Sequence, residues 1–431
     1  MSAEFPVCRV TVKAHLARRI QTPVYNRAVR ILLLNLYYPP DTSATAKMAE
    51  TVVNVLASEN EVTILCGRPS YDPSERREWH LYQTERSGKV RIDRVGSTDF
   101  PRMQMKRRVL NYLTYAALVI PRALFTPCDV VLAMTDPPFE GIIGAFVALL
   151  KGKPYFYNIR DMYPDMAVGG SIVEPGLLAR VWEKLHRWAL RRATKVIVLG
   201  EDMRNRILSK GVHAERIEIV RDGADVPAAD SPQPQLDCDV IRTIRSDFRF
   251  VLLHAGNLGF YGAWPALIAA ARQLNGDGIG LVFVGEGAQR AEIESLAAGV
   301  SNVRFLPFFP SSKVTSVLAA ADAHLITVKR GLEGVVVPSK MYGILAAAKP
   351  IVAVAPRETD AVALGEKLGF GIGADPDRPG EIAKAVRDLA ADPDRLARMA
   401  SAARRAANGY DRAKELQSFA RLIAGKNANG E

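Results

Sequence analysis

What most limits the fold of this chain is a recurring pattern: a short run of valine, isoleucine and leucine, a polar turn, then a stretch with helical spacing. The runs fall at 29–36, 61–66, 90–95, 128–134, 154–159, 195–199 and 217–220, and again at 250–253, 280–284, 303–306, 324–328, 351–354 and near 370–373. Runs that stay apolar along their length belong to strands covered on both faces, as in a parallel sheet whose crossovers are helices. The alternation therefore predicts an α/β fold with doubly wound parallel sheets. At 431 residues the chain exceeds one ordinary core, so two such domains are expected. The proline-bearing stretch 224–238 breaks the pattern and reads as the linker. The expected division is an N-terminal extension at 1–28, a first domain at 29–230, a linker at 231–247, a second domain at 248–409, and a closing helix within 410–431.

Hydrophobic residues make up 48% and charged residues 24%, the balance of a soluble globular protein. No apolar run reaches the roughly 20 residues of a membrane span. The longest candidate, 112–125, contains Pro121 and Arg122. The N-terminus mixes Arg and Lys with apolar residues and lacks a cleavable leader pattern, so a cytoplasmic protein is expected. Cys8, Cys66, Cys128 and Cys238 lie far apart, with neither C-x-x-C spacing nor a histidine cluster, which argues against a disulfide framework and against zinc. A formal charge of +11 admits nucleic acid, an anionic membrane surface or anionic small substrates. No helix-turn-helix, zinc-finger or RNP-like pattern accompanies the basic residues, so nucleic acid is set aside. Between Met103 and Phe125 a basic cluster leads into Tyr112, Leu113, Tyr115, Leu118, Val119 and Leu124. That composition suits a helix lying on an anionic bilayer, and equally a core helix with a solvated basic end.

Two strand-to-helix corners of the second half carry the most chemistry. In the stretch from Lys329 to Val354, a loop with Arg330 and Glu333 runs into Pro338, which suits a first helical turn. A helix is expected from Ser339 to Ala348. Its free N–H groups, the Ser339 hydroxyl and the Lys340 ammonium would hold an anion, most naturally a phosphate. The other corner follows FVLLHAGN and contains Gly256, Asn257, Leu258 and Gly259. Gly285-Glu286-Gly287 begins a dinucleotide-like G-x-G, but Arg290 stands at the third glycine position, so a tight corner near a diphosphate is expected instead of a nicotinamide site. In the first half, strand ends present Asp136 and the pair Arg160-Asp161 beside prolines. The acidic pairs Asp237 with Asp239, Asp375 with Asp377 and Asp392 with Asp394 read as caps and turns, so no metal site is expected. His254 and His324 read as core histidines on buried strands.

Taken in order, NLYYPPDTSATA (35–46), RDMYPD (160–165), HAGNLG (254–259), VGEG (284–287), FLPF (305–308) and GLEGVVVPSKMYGILAAAKP (331–350) resemble the GT-B glycosyltransferases of the large retaining family 4, especially its bacterial surface-polysaccharide branch. The resemblance implies two Rossmann-like domains facing a cleft, with the final helix crossing back to the first. It implies a nucleotide-sugar donor on the second domain and a lipid-linked or glycan acceptor at the first. No metal and no cofactor is implied, the nucleotide sugar being a substrate. By position the Asn257, Leu258 and Gly259 backbone would approach the donor phosphates, Gly285 and Glu286 would flank them, and Phe308 would lie near the base. Glu333, Pro338, Ser339 and Lys340 would surround the sugar and diphosphate.

The departures concern charge. Family members carry an arginine and a lysine where this chain has Asn257 and Gly262, and two glutamates where it has Val335 and Gly343. Lys340 and Arg330 are the expected substitutes at the phosphates and Glu333 at a sugar hydroxyl. Asp161 or Asp136 would orient or deprotonate the acceptor, with Arg160 at the same strand end. Two rival readings stay open: a GT-B sugar-nucleotide epimerase, and a non-catalytic sugar-nucleotide-binding subunit. A cytoplasmic transferase is the leading expectation, with the inner face of the cell membrane as a surface it could work on.

Overall fold

Aliphatic runs become buried strands wherever a helix covers each face, and the strands fall into two sheets. The computed structural model describes residues 28–69, 79–100, 105–226, 235–246 and 248–425. The first unit contributes β1 (Arg30–Leu34), β2 (Glu61–Gly67), β3 (Tyr82–Ser87), β4 (Val90–Val95), β5 (Val130–Ala133), β6 (Tyr155–Asn158), β7 (Lys195–Val198) and β8 (Ile217–Ile219). The second contributes β9 (Phe250–Ala255), β10 (Ile279–Val284), β11 (Val303–Leu306), β12 (Ala323–Thr327), β13 (Ile351–Val354) and β14 (Gly371–Ala374). Among the described residues the first sheet runs β3-β4-β2-β1-β5-β6-β7-β8 and the second β11-β10-β9-β12-β13-β14. All pairings are parallel except the β3–β4 hairpin. This is the GT-B fold.

Strand order reverses at β1/β5 in the first sheet and at β9/β12 in the second. Such switch points open a crevice at the carboxyl ends of the strands. The crevices are therefore bordered by the loops after β1 and β5 on one side and those after β9 and β12 on the other. Four apolar clusters cover the two sheets, and the largest continues from the first unit into Leu332, Val335, Met341 and Tyr342 of the second.

The units touch through backbone. Asp161 forms an antiparallel bridge with Val336, and the Met162 N–H donates to the Val335 carbonyl at 3.2 Å. Helices Glu201–Ser209 and Asp360–Leu368 meet N-terminus to N-terminus, one from each unit. The Asp360 carboxylate accepts from the Glu201 N–H at 3.1 Å, and the Asp202 carboxylate accepts from the Asp360 N–H at 3.3 Å. Each helix thus caps the other, satisfying N–H groups that a helix end leaves open. Burial and the neighbouring Asp360 push the Asp202 carboxyl up to about 6.

Three sequence expectations need correction. The stretch 67–89, between the runs at 61–66 and 90–95 and expected to hold no strand, contains β3, a polar edge strand whose exposed side chains hide its pairing. The linker expected at 231–247 includes helix Cys238–Arg245, capped by Asp237 and packed through Val240 and Ile244 on Val251, Leu253 and Val317 of the second unit. The helix expected from Ser339 to Ala348 spans only Lys340–Ala346, because Ala348 turns left-handed at φ 53°. The closing helix Arg412–Ile423 packs Phe419 and Ile423 into the core of the first unit. Apart from residue 28, the expected N-terminal extension lies outside the described residues, as do 227–234.

Candidate active site

The glycine corner after β9 is built by close backbone approach. Gly256 donates to the Val284 carbonyl at 2.9 Å, Leu258 to Glu286 at 2.8 Å, and Gln289 to Leu258 at 2.9 Å, so the loops after β9 and β10 are zipped together. Gly285 sits at φ 152°, and a Cβ there would lie 2.0 Å from the Gly256 oxygen. The Trp264 indole donates to the Gly259 carbonyl at 2.7 Å, and the Tyr261 hydroxyl donates to that of Asn257. These bonds set the Asn257–Gly259 backbone before any ligand arrives.

Lys340 enters from the opposite corner, at the start of its helix. Its Nζ stands 3.2 Å from His254 Nε2 and 3.2 Å from where a Gly256 Cβ would be. His254 is fully buried, with Trp264 packed on it edge-to-face at 5.1 Å. Burial lowers the Lys340 ammonium to about 7. Burial, and then Lys340, hold His254 well below the usual histidine range, so its ring is neutral and accepts from the ammonium. Among the described residues no carboxylate is paired with Lys340. A desolvated cation without a counter-ion is costly unless something anionic meets it.

On the facing edge, Asp161 is half-buried and its carboxyl is pushed up to about 6, by burial and then by Asp136. Arg160 is committed elsewhere: its Nη2 donates to Asp222 Oδ1 at 2.5 Å. Tyr37, Arg108, Tyr112 and Tyr163 gather around Asp136 and Asp161. None of these four was singled out as a site residue from the sequence, although the pairs Tyr37-Tyr38 and Tyr163-Pro164 stand at predicted strand ends.

Comparison with known proteins decides the family. A glycosyl transferase 4-like domain matches residues 43–223, and a glycosyl transferases group 1 domain matches 249–392, one on each sheet. The chain belongs to these glycosyltransferases. It is 22% identical over 378 residues to a putative colanic acid biosynthesis glycosyl transferase, WcaI, of Escherichia coli K12, covering 83% of this chain and 91% of that protein. It is 23% identical over 264 residues to the probable glycosyltransferase WbjE of Pseudomonas aeruginosa, covering 61% of this chain and 66% of the other. Among solved structures, Anabaena HepE with UDP-glucose superposes with a TM-score of 0.65 at 18% identity, covering 92% and 100% of the two chains. WaaG, a glycosyltransferase of lipopolysaccharide biosynthesis, superposes with a TM-score of 0.62 at 16% identity over the same shares.

Within this transferase one of the missing charges has a direct steric cause. A Cβ at Gly262 would lie 2.3 Å from the Trp264 ring, so a lysine there has no room. Val335 is fully buried at the junction of the units. Gly343 is exposed, with nothing within 4 Å of a Cβ position. Arg330, expected at the phosphates, is turned away: its Nε reaches Asp377 at 2.6 Å and its Nη2 reaches Asp375 at 2.9 Å. Glu333 Oε1 accepts from the Gly331 N–H at 2.8 Å. Ser339 is exposed and its side chain caps nothing. Glu286 is held by Arg290 at 2.5 Å, and Phe308 stands 56% exposed beyond β11. Among the described residues no group of three His, Cys, Asp or Glu is placed to hold a metal ion.

Proposed function

We propose that this transferase moves a sugar, with retention, from a nucleotide-sugar donor to a lipid-linked or glycan acceptor in surface-polysaccharide synthesis. The observation that carries the donor reading is the half-buried Lys340, whose ammonium stands over Gly256 with no carboxylate paired to it among the described residues. Cleavage at the anomeric carbon leaves a diphosphate. Lys340 and the N–H groups of Asn257 and Gly259 would meet that growing charge, the Leu258 N–H being held by Glu286, and would stabilise the transition state more than the bound donor. No cofactor is needed for this chemistry. Asp161, whose raised carboxyl titrates near 6, would orient the acceptor hydroxyl, with Asp136 beside it. The names of similar proteins support this reading: HepE was solved with UDP-glucose, and WcaI is named for colanic acid biosynthesis.

The test is a panel of nucleotide sugars and nucleoside diphosphates in thermal denaturation, followed by product analysis. At a hundred times its Kd a donor that binds only the folded protein adds about 2.7 kcal/mol, a rise of several degrees. If no nucleoside diphosphate raises the melting temperature, the donor reading falls.

The acceptor side supports work at the inner membrane face. No described helix is long and apolar enough to cross a membrane. Three neighbouring helices of the first unit nevertheless expose large apolar groups: Val109 and Leu113 on Met105–Phe125, Leu150 on Glu140–Lys151, and Leu177, Leu178 and Leu185 on Leu177–Arg192. Leu177 and Leu178 are 73% and 71% exposed, and Arg180 and Lys184 stand exposed beside them. Apolar anchors among cations suit an anionic bilayer surface. The protein should co-float with anionic vesicles, and Leu178→Glu should reduce the floated fraction at least threefold. Equal recovery with neutral vesicles or with the variant would refute this surface.

A further inference from the structure

One cation of the first unit remains unexplained by the donor site. Arg108 lies near the start of helix Met105–Phe125, and its guanidinium carbon stands 5.3 Å from the centre of the Tyr112 ring. Tyr112 is in turn propped edge-on by Phe139 at 6.0 Å. The charge neighbours of Arg108 are the hydroxyls of Tyr112 and Tyr37, and among the described residues no carboxylate is paired with it. Several other arginines of this unit behave differently. Arg30, Arg68, Arg91, Arg94, Arg122, Arg160 and Arg206 all hold a carboxylate.

The surroundings place Arg108 at the acceptor edge. Tyr37 follows β1 and Asp136 follows β5, the two strands at the switch point. Tyr163 follows β6, stacks on Trp182 at 5.9 Å, and lies in the field of Asp161, Asp136 and Arg108 together. Burial first, and then neighbouring charge, push the Tyr112 and Tyr163 phenols up, so both remain O–H donors at neutral pH. The result is a guanidinium and phenol hydroxyls gathered with two carboxylates.

We propose that Arg108, with the hydroxyls of Tyr37, Tyr112 and Tyr163, is a subsite for the phosphate of the acceptor, which is a prenyl diphosphate bearing the sugar to be extended. This rests on the acceptor reading above and narrows it from "lipid-linked or glycan" to a phosphate ester of a lipid. A guanidinium fork with O–H donors matches phosphate oxygens. The sugar next to the diphosphate then brings a hydroxyl toward Asp161 and Asp136. The same helix exposes Val109, Leu110 and Leu113, which leaves the prenyl chain an apolar exit toward the bilayer.

The experiment uses the full chain with UDP at saturation, to occupy the donor site, and farnesyl diphosphate as the titrated probe in calorimetry. Farnesyl diphosphate should bind, inorganic pyrophosphate should compete, and farnesol should not bind. Arg108→Gln should weaken the probe at least tenfold, the scale of a lost hydrogen bond between charged groups, with UDP affinity and melting temperature unchanged. Tyr112→Phe, which keeps the ring under Arg108, should weaken it severalfold. Undiminished affinity in Arg108→Gln, or farnesol binding as tightly as its diphosphate, would overturn the subsite. Failure of UDP to bind the wild-type chain would strike the donor reading alone, because farnesyl diphosphate still reports on Arg108.

Discussion

Lys340→Met is expected to lower kcat for sugar transfer about a hundredfold or more while raising the melting temperature, because the side chain holds a desolvated charge whose use comes only when a diphosphate is present. Methionine preserves the length of the stem and removes the ammonium from its place 3.2 Å from His254. In the free protein that removes a half-buried cation with no carboxylate partner among the described residues, which is stabilising. In the reacting complex it removes the charge opposite the leaving group, an effect of about 3–4 kcal/mol when such a donor is lost. The two measurements move in opposite directions, so a variant that merely unfolds is easy to recognise. Transfer within threefold of wild type would show that the diphosphate is held elsewhere.

The same residue sets a pH signature. His254 and His324, the histidines near Lys340, are both held below their usual range by burial, so Lys340 at about 7 is the member of this group that titrates near neutrality. The folded value lies below the ordinary 10.5, so the unfolded chain binds more protons between about 7 and 10.5 and stability of the free protein rises with pH across that window. A bound diphosphate favours the ammonium, so binding takes up a proton above pH 7 and donor affinity falls as pH rises. Both slopes should be absent in Lys340→Met, which calorimetry in buffers of different ionisation heat can read.

How much of this was legible beforehand depended on whether a residue's partner lay near it in the chain. Strands such as β1 and β9 announce themselves because both of their faces are covered and nearly every position is aliphatic. Tyr82–Ser87 does not, since an edge strand in water is free to be YQTERS, and only pairing with β4 defines it. At the site, Lys340 stood out because proline, serine and lysine open a helix together. Arg330 looked equivalent in sequence, yet Asp375 and Asp377, brought in by the loop after β14, capture its guanidinium. His254 looked like packing, and it is packed; what sequence could not show is that its Nε2 faces the one neighbour that needs an acceptor. Arg108 was visible only as one cation of a basic cluster, because of its phenol neighbours only Tyr112 shares its helix, while Tyr37 and Tyr163 come from separate segments.

Gly285→Ala is the second large effect, and it separates the zipped glycine corner from the helix that faces it. A methyl at this position would be placed 2.0 Å from the Gly256 oxygen and 2.9 Å from its carbonyl carbon, with φ at 152°. Backbone cannot yield as a long side chain can, so the loops after β9 and β10 must part. A loss of roughly 3 kcal/mol or more is expected from that strain, together with loss of donor binding, because the N–H groups of Asn257 and Gly259 move with the loop. Gly343→Ala supplies the contrast on helix Lys340–Ala346, where a Cβ meets nothing within 4 Å. There alanine relieves the entropy cost of a helical glycine and should add about 0.5–1 kcal/mol. Denaturant titration of the two variants beside wild type measures both. A Gly285→Ala protein of wild-type stability would mean that the corner opens readily, and the claim that its backbone is set before the donor arrives would then fail.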